Sequence, residues 1–204
     1  MIKYRHAQSE DMLPLLDLIE QGFSLRRQKP DFVEGREHRG LFTYLYGRPG
    51  WKPEWVIVAE EQGQLIAAVG VFPQRLSFEG NYLPVWSISP VVTHPEHRGK
   101  QAAVKCMEYM LDWLKGLGVT AVFLWGIRNY YPKYGFVPIL PRYKTRLTQA
   151  QFRGGLETSG IGNWDSLEAS DLEDLTQLYR LREQELWLQP WRGQEWWAQR
   201  IKDW

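Results

Sequence analysis

Hydrophobic positions change their spacing along the chain in a way that lays out most of the elements. Met12, Leu15, Leu16, Ile19 and Phe23 recur at intervals of three and four after the polar Ser9-Glu10-Asp11. That is the pattern of an amphipathic helix with an acidic first turn, preceded by a short strand over Ile2 to Arg5 and ended near Gly22. Leu25 to Pro53 has helical potential near Gly40 to Tyr46 but carries breakers at Gly47, Pro49, Gly50 and Pro53, so it reads as largely irregular, of the kind that shapes binding pockets. Trp55 to Glu60 and Leu65 to Phe72, dense in β-branched residues, flank Gln62-Gly63 and predict an antiparallel hairpin. A turn at Glu79-Gly80-Asn81 leads into a third strand, Leu83 to Thr93.

A helical period returns from Ala102 to Leu117. Ala103, Cys106, Met107, Met110, Leu111 and Leu114 share one face, Lys105, Glu108, Asp112 and Lys115 the other, and Gly116 and Gly118 follow. Val119 to Trp125 is a continuous apolar strand, and the order strand, helix, strand implies a parallel pair joined by a right-handed crossover. The fold class is therefore mixed α and β. A short helix at Tyr130 to Tyr134 and extended pieces at Phe136 to Leu140 and Tyr143 to Leu147 come next, and Gly154, Gly155, Gly160 and Gly162 mark a linker. The expected organisation is a first domain over 1–150, then 151–204 as linker and helical segment. Trp164 to Tyr179 repeats the order strand, acidic cap, helix seen over Lys3 to Leu18. It reads either as the opening of a second unit or as an ordinary helical extension.

Composition narrows the class. The 204 residues suit one well-buried domain, and 25 basic against 24 acidic side chains leave a net charge of +1, so no global field favours nucleic acid or an anionic membrane. No run approaches the roughly 20 apolar residues of a spanning helix. The one cysteine, Cys106, fits a reducing compartment, and the cytoplasm is expected. Eleven tryptophans are present, five of them (Trp187, Trp191, Trp196, Trp197 and Trp204) within the last eighteen positions. Such a tail must pack on the body, join a partner chain as in a homo-oligomer, or meet further sequence.

The chemistry concentrates where the apolar run Val91-Val92-Thr93 passes through His94-Pro95-Glu96-His97 into Arg98-Gly99-Lys100-Gln101-Ala102-Ala103 and the next helix. A helix entrance offers N–H donors without internal partners and partial positive charge, which together suit a pyrophosphate. Thirty residues on, Asn129-Tyr130-Tyr131-Pro132-Lys133-Tyr134-Gly135-Phe136 supplies phenols. Alone, the turn also matches a solvated basic loop, and most tyrosines in such clusters pack rather than catalyse. His94 and His97 read more readily as loop residues than as bases. No third ligand stands at metal spacing, so no metal is expected. Glu60 and Glu79 read as edge charges more readily than as a general base, which stays unassigned.

The meander, the turn at Arg98 to Ala103 and the segment Tyr130 to Phe136 resemble the GNAT acetyltransferase superfamily over roughly Met1 to Leu147. Within it they look like bacterial enzymes with one or two tandem units. The resemblance implies a mostly antiparallel central sheet with helices on both faces and a splayed parallel strand pair. It implies that Val91, Val92 and Thr93 pair with the pantetheine of acetyl-CoA, that Arg98, Gly99, Lys100, Gln101, Ala102 and Ala103 hold its pyrophosphate, and that Tyr131 is the acid that protonates the departing thiolate. Gln101 stands where the family usually has glycine, whose missing Cβ admits a phosphate oxygen close to the backbone. The expected function is N-acetyl transfer from acetyl-CoA to a primary amine of a small molecule or peptide, by direct attack in a ternary complex. Cys106, on a helix face behind the turn, offers no acyl-enzyme route. The alternatives are a non-catalytic acyl-CoA-binding or regulatory module and a truncated part of a tandem enzyme. The aromatics Phe42, Tyr44, Tyr46, Trp51, Trp55 and Trp86 fit either a flat or cationic acceptor or core packing.

Overall fold

The computed structural model describes residues 1–24, 34–78, 81–127, 129–139, 168–185, 188–190 and 192–202. Contacts group the chain into two compact units, Met1–Leu76 with Tyr82–Tyr130, and Ser77–Asn81 with Tyr131–Trp204. Along the chain run β1 (Lys3–His6), α1 (Met12–Ser24), α2 (Glu34–Tyr46), β2 (Val56–Glu61), β3 (Gln64–Phe78), β4 (Asn81–Thr93), α3 (Ala102–Gly116) and β5 (Val122–Leu124). The strands lie in the order β1-β2-β3-β4-β5. β1 and β3 both run antiparallel to β2, and β4 runs parallel to β5, the mixed, mostly antiparallel sheet that the meander and crossover imply. The hairpin turn falls on Gln62 and Gly63, both at positive φ, 53° and 81°, which matches the right-handed twist of the strands it joins.

The sheet is covered by alternation. Val56 and Val58 of β2 join Leu15, Leu16, Leu18 and Ile19 of α1 and Phe42 and Tyr46 of α2 in one buried cluster. Ile57 and Ala59, at the alternate positions, face the other way. On that side α3 packs on β2 and buries Cys106, Met107, Met110 and Leu114.

Several expectations need correction. Gly22 does not end α1, which continues to Ser24. Its side is pressed against β4, and a Cβ there would collide with Val92 Cγ2 and come 3.2 Å from the Thr93 carbonyl oxygen. Residues 34–46 are helical rather than irregular. Gly35 and Gly40 disfavour that helix, but burial of Phe42 and Tyr46 against α1 overrides propensity. The strand expected over Val119 to Trp125 is confined to three residues. The helix expected at Tyr130 to Tyr134 is a single 3-10 turn over Pro132–Tyr134, and residues 136–139 form no strand. The turn at 79–80, the strand at 143–147 and the glycine linker lie outside the described residues.

The acidic start of α1 is a buried ion-pair site. Asp11 is 6% exposed, and its carboxylate accepts from Arg5 Nη1 at 2.5 Å, Arg5 Nη2 at 2.9 Å and the Gln8 backbone N–H at 2.7 Å. The Arg5 hydrogen bonds hold this carboxyl below its ordinary range, helped by the Gln8 N–H and opposed by burial. A depressed folded-state value contributes stability above the unfolded value of about 3.9, which is lost as pH falls through the folded value. Asp11→Asn should therefore cost about 2 kcal/mol at pH 7 and flatten the loss of stability below about pH 4, read from urea midpoints against pH.

In the second unit, α4 (Leu172–Glu185) packs with α5 (Gln194–Lys202), and a short strand, β6 (Leu188–Pro190), lies between them in sequence. Trp197 meets Tyr179 and Trp196 edge-on, with centroids 5.9 and 4.8 Å apart. The Arg192 guanidinium lies 5.2, 4.7 and 5.9 Å from the centroids of Tyr179, Trp196 and Trp197. Trp196 and Trp197 thus pack against neighbours within the same segment and stay half-buried. Trp187, Trp191 and Trp204 lie outside the described residues. No helix among the described residues is long and apolar enough to cross a membrane.

Candidate functional site

β4 and β5 part company at the site. Their ladder pairs Trp86, Ser87 and Ile88 with Val122, Phe123 and Leu124. β5 ends there while β4 runs on to Thr93. Pro90, just past the last paired residue, has no N–H to donate. From Ser89 to Thr93 the edge of β4 that faced β5 has no ladder partner among the described residues. Val91, Val92 and Thr93 thus end a strand with one edge unpaired among the described residues, a backbone arrangement that accepts an extended amide chain as an added strand. Val92 is buried under α1, and Val91 and Thr93 are half-buried.

The turn that follows is fixed in steps. His94 N–H donates to the Ile66 carbonyl of β3 at 2.8 Å, and Pro95–His97 form a 3-10 turn. Gly99 sits at φ 85°, where an L side chain is disfavoured. Gln101 occupies the N-cap of α3 in the left-handed region, φ 58° and ψ 19°, and its side chain makes no cap bond. The first intrahelical bond runs from Lys105 N–H to the Gln101 carbonyl at 3.1 Å. The amides of Ala102, Ala103 and Val104 accordingly have no intrahelical partner, and partial positive charge gathers there. The backbone has kept a conformation that suits glycine while carrying glutamine, a strain of about 1–2 kcal/mol. Gln101→Gly should raise stability by about 0.5–1 kcal/mol and not weaken anion binding at the turn, measured by thermal melting and calorimetry.

The turn's cations have protein partners. Arg98 Nη2 donates to the Gly22 carbonyl at 3.2 Å, near the C-terminal end of α1 where a cation is favoured. Lys100 Nζ lies 2.5 Å from Glu61 Oε2. A pocket of about 580 Å³ opens beside the turn, between Asp17, Glu20 and Ser24 of α1 and His94, Pro95 and Glu96. Arg39 pairs with Asp17 and with Glu20.

Tyr131 belongs to the second unit. It precedes the 3-10 turn with φ −88° and ψ −15°, is half-buried, and its ring meets Phe136 edge-on at 6.1 Å. Cys106 is fully buried, and burial pushes its thiol up to about 12, which removes it as a nucleophile at neutral pH. Glu60 accepts from Arg5 Nε and Nη2 at 3.1 and 2.7 Å and is therefore a structural ion partner; Glu79 lies outside the described residues. His97 is held near Glu61, and His94 Nδ1 accepts from the Glu96 N–H. Phe42, Tyr46 and Trp51 pack in or against the core cluster, while Trp55 and Trp86 stand edge-on, with Trp113 edge-on to Trp86 in turn. Sequence reasoning missed Gly22 and Glu61, because neither lies near the turn along the chain. Among the described residues no three His, Cys, Asp or Glu side chains group as metal ligands.

Comparison with known proteins supplies the class. The model of the acetyltransferase (GNAT) domain family matches residues 3–139. No curated protein matches. A GNAT family acetyltransferase from Brucella melitensis, solved with acetyl-CoA, has a TM-score of 0.52 at 21% identity, covering 74% of this chain and 97% of its own. A predicted acetyltransferase from Clostridium acetobutylicum with acetyl-CoA gives 0.53 at 20% identity over 72% and 96%. Saccharomyces cerevisiae N-myristoyltransferase with bound myristoyl-CoA gives 0.62 at 13% identity, covering 97% of this chain, which spans about half (49%) of the yeast enzyme. These likenesses are likenesses of fold.

Proposed function

The chain belongs to the GNAT acetyltransferase family, and from that premise we propose that it moves acetyl from acetyl-CoA to a primary amine of a small molecule or peptide, without an acyl-enzyme. The observation that carries this reading is the β4 edge, unpaired among the described residues, that leads through the turn to helix amides with no intrahelical partner. An extended pantetheine adds its amides along Val91 to Thr93. The diphosphate rests on the amides of the Gly99 to Ala103 turn, where the helix dipole favours negative charge.

The neutral amine attacks the thioester carbonyl. The N–C bond forms, the C–S bond breaks, the amine proton leaves to solvent or to a base, and the thiolate takes the proton of the Tyr131 hydroxyl. A phenol, protonated at neutral pH with an ordinary value of about 10, is a fitting acid for a thiolate. Backbone N–H groups where β4 and β5 separate are the natural donors to the developing oxyanion. The buried, protonated Cys106 supports direct attack. The pocket between α1 and the 3-10 turn suits the acceptor better than the cofactor, because Glu96, which makes no ion pair among the described residues, attracts an ammonium and repels a diphosphate.

We further propose that 151–204 comprises a linker and the opening of a second GNAT-like unit. Gln8 and Glu168 have the same backbone, φ −120° and ψ 172° against φ −118° and ψ 168°. Each closes the same ring with an aspartate three residues on, its N–H donating to Asp11 Oδ2 at 2.7 Å and to Asp171 Oδ2 at 2.9 Å. A thirteen-residue helix follows the first ring and a fourteen-residue helix the second. The test of function is thiol release from acetyl-CoA across a panel of amines, with acetyl-CoA binding measured by calorimetry. Amine-dependent release is expected. Binding without release for any amine would instead favour the non-catalytic module, and absence of binding would overturn both.

A further inference from the structure

Lys100 reads in the sequence as a charge for the pyrophosphate, but its ammonium is turned to the β2–β3 hairpin. Lys100 Nζ lies 2.5 Å from Glu61 Oε2 and 3.2 Å from His97 Nδ1, and His97 Nδ1 lies 3.2 Å from the same Glu61 oxygen. The three groups close a triangle that joins the last residue of β2 to the end of the 3-10 turn at His97 and to Lys100 within the cofactor turn. We propose that Glu61 is a positioning residue for the cofactor turn, acting through Lys100 and His97 rather than by touching the ligand; this rests on the acetyl-CoA reading above.

The backbone explains why the turn needs such a tether. Lys100 is flanked by two left-handed residues, Gly99 and Gln101, and a left-handed non-glycine residue persists only where its surroundings over-determine it. The Gln101 side chain makes no cap bond that would do so locally. The surroundings act from outside, through Arg98 on the Gly22 carbonyl of α1 and Lys100 on Glu61 of β2. Two separate elements thereby hold the segment whose amides face the diphosphate. Lys100 also draws the Glu61 carboxyl below its ordinary range, as its hydrogen bond favours the charged carboxylate.

The two roles of Lys100 predict opposite signs. If Lys100 were a direct phosphate ligand, removing Glu61 would free it and tighten acetyl-CoA. If Glu61 positions the turn, removing either partner loosens the amides and weakens acetyl-CoA by a similar factor. The experiment measures the acetyl-CoA dissociation constant for wild type, Glu61→Ala, Lys100→Met and the double variant, with amide hydrogen exchange of residues 99–103 in the ligand-free protein. Each single variant should bind about threefold more weakly, as for a partly exposed ion pair, and the double no worse than the singles. Exchange in the turn should quicken severalfold, Glu61→Ala should raise the acetyl-CoA KM with kcat unchanged, and Glu61→Asp should recover part of the loss. Tighter binding in Glu61→Ala, or exchange that stays as in wild type, overturns the proposal. A wild-type protein that ignores acetyl-CoA overturns the functional reading instead, and the exchange measurement still tells whether Glu61 holds the turn.

Discussion

Replacing Tyr131 by Phe should lower kcat about a hundredfold while leaving the acetyl-CoA KM within about a factor of two, because a positioned general acid contributes on the order of 10²–10⁴. The substitution deletes one oxygen and keeps the ring, so the edge-on contact with Phe136 and the backbone that leads into the 3-10 turn survive. An interaction made only in the transition state lowers kcat and kcat/KM together, which separates loss of the acid from loss of binding. Steady-state kinetics of thiol release, with Tyr130→Phe as the neighbouring control, check this. Full activity in Tyr131→Phe would remove the residue from the mechanism.

The second large effect is expected at Gly22. Gly22→Val should destabilise the protein by about 3 kcal/mol, the upper end for forcing side-chain carbons into a packed core. The obstacle is the stiff, buried Val92 side chain and a backbone oxygen rather than the flexible end of a surface residue. The melting temperature should fall by roughly 6–12 °C. Displacement of Val92 and Thr93 would also disturb the open edge of β4, so acetyl-CoA affinity should drop as well. Gly40→Ala provides the contrast. Nothing lies within 4 Å of a Cβ at Gly40 in α2, and relief of helix glycine there should raise stability by about 1 kcal/mol. If both glycines behaved alike, the close approach of α1 to β4 would not matter energetically.

The parts of this molecule legible in its sequence are those set by local rules. Gln62-Gly63 announces a hairpin because two adjacent residues must take positive φ, and both do. The three-and-four spacing from Ala103 to Leu114 announces a core-facing helix, and Ala103, Cys106, Met107, Met110 and Leu114 are buried while Leu111 is only half-buried. What escaped depends on partners far along the chain. Glycine at 22 reads as a stop signal until Val92, seventy residues on, is found against it. Residues 34–46 look broken until Phe42 and Tyr46 meet α1. Glu61 and Lys100, 39 residues apart, form a pair that no periodicity could announce. At position 101 the departure from glycine was legible, but only the backbone showed that the glycine-like conformation had been retained.

The isolation of the only sulfhydryl has a practical side. With Cys106 sealed on the buried face of α3 and protonated far above neutral pH, the folded chain carries nothing that an aromatic disulfide reagent can titrate. Every equivalent of chromophore such a reagent releases during turnover must then come from liberated coenzyme, so even slow acceptors register against a flat baseline. A cysteine introduced at an exposed position would become the sole attachment point for a fluorophore.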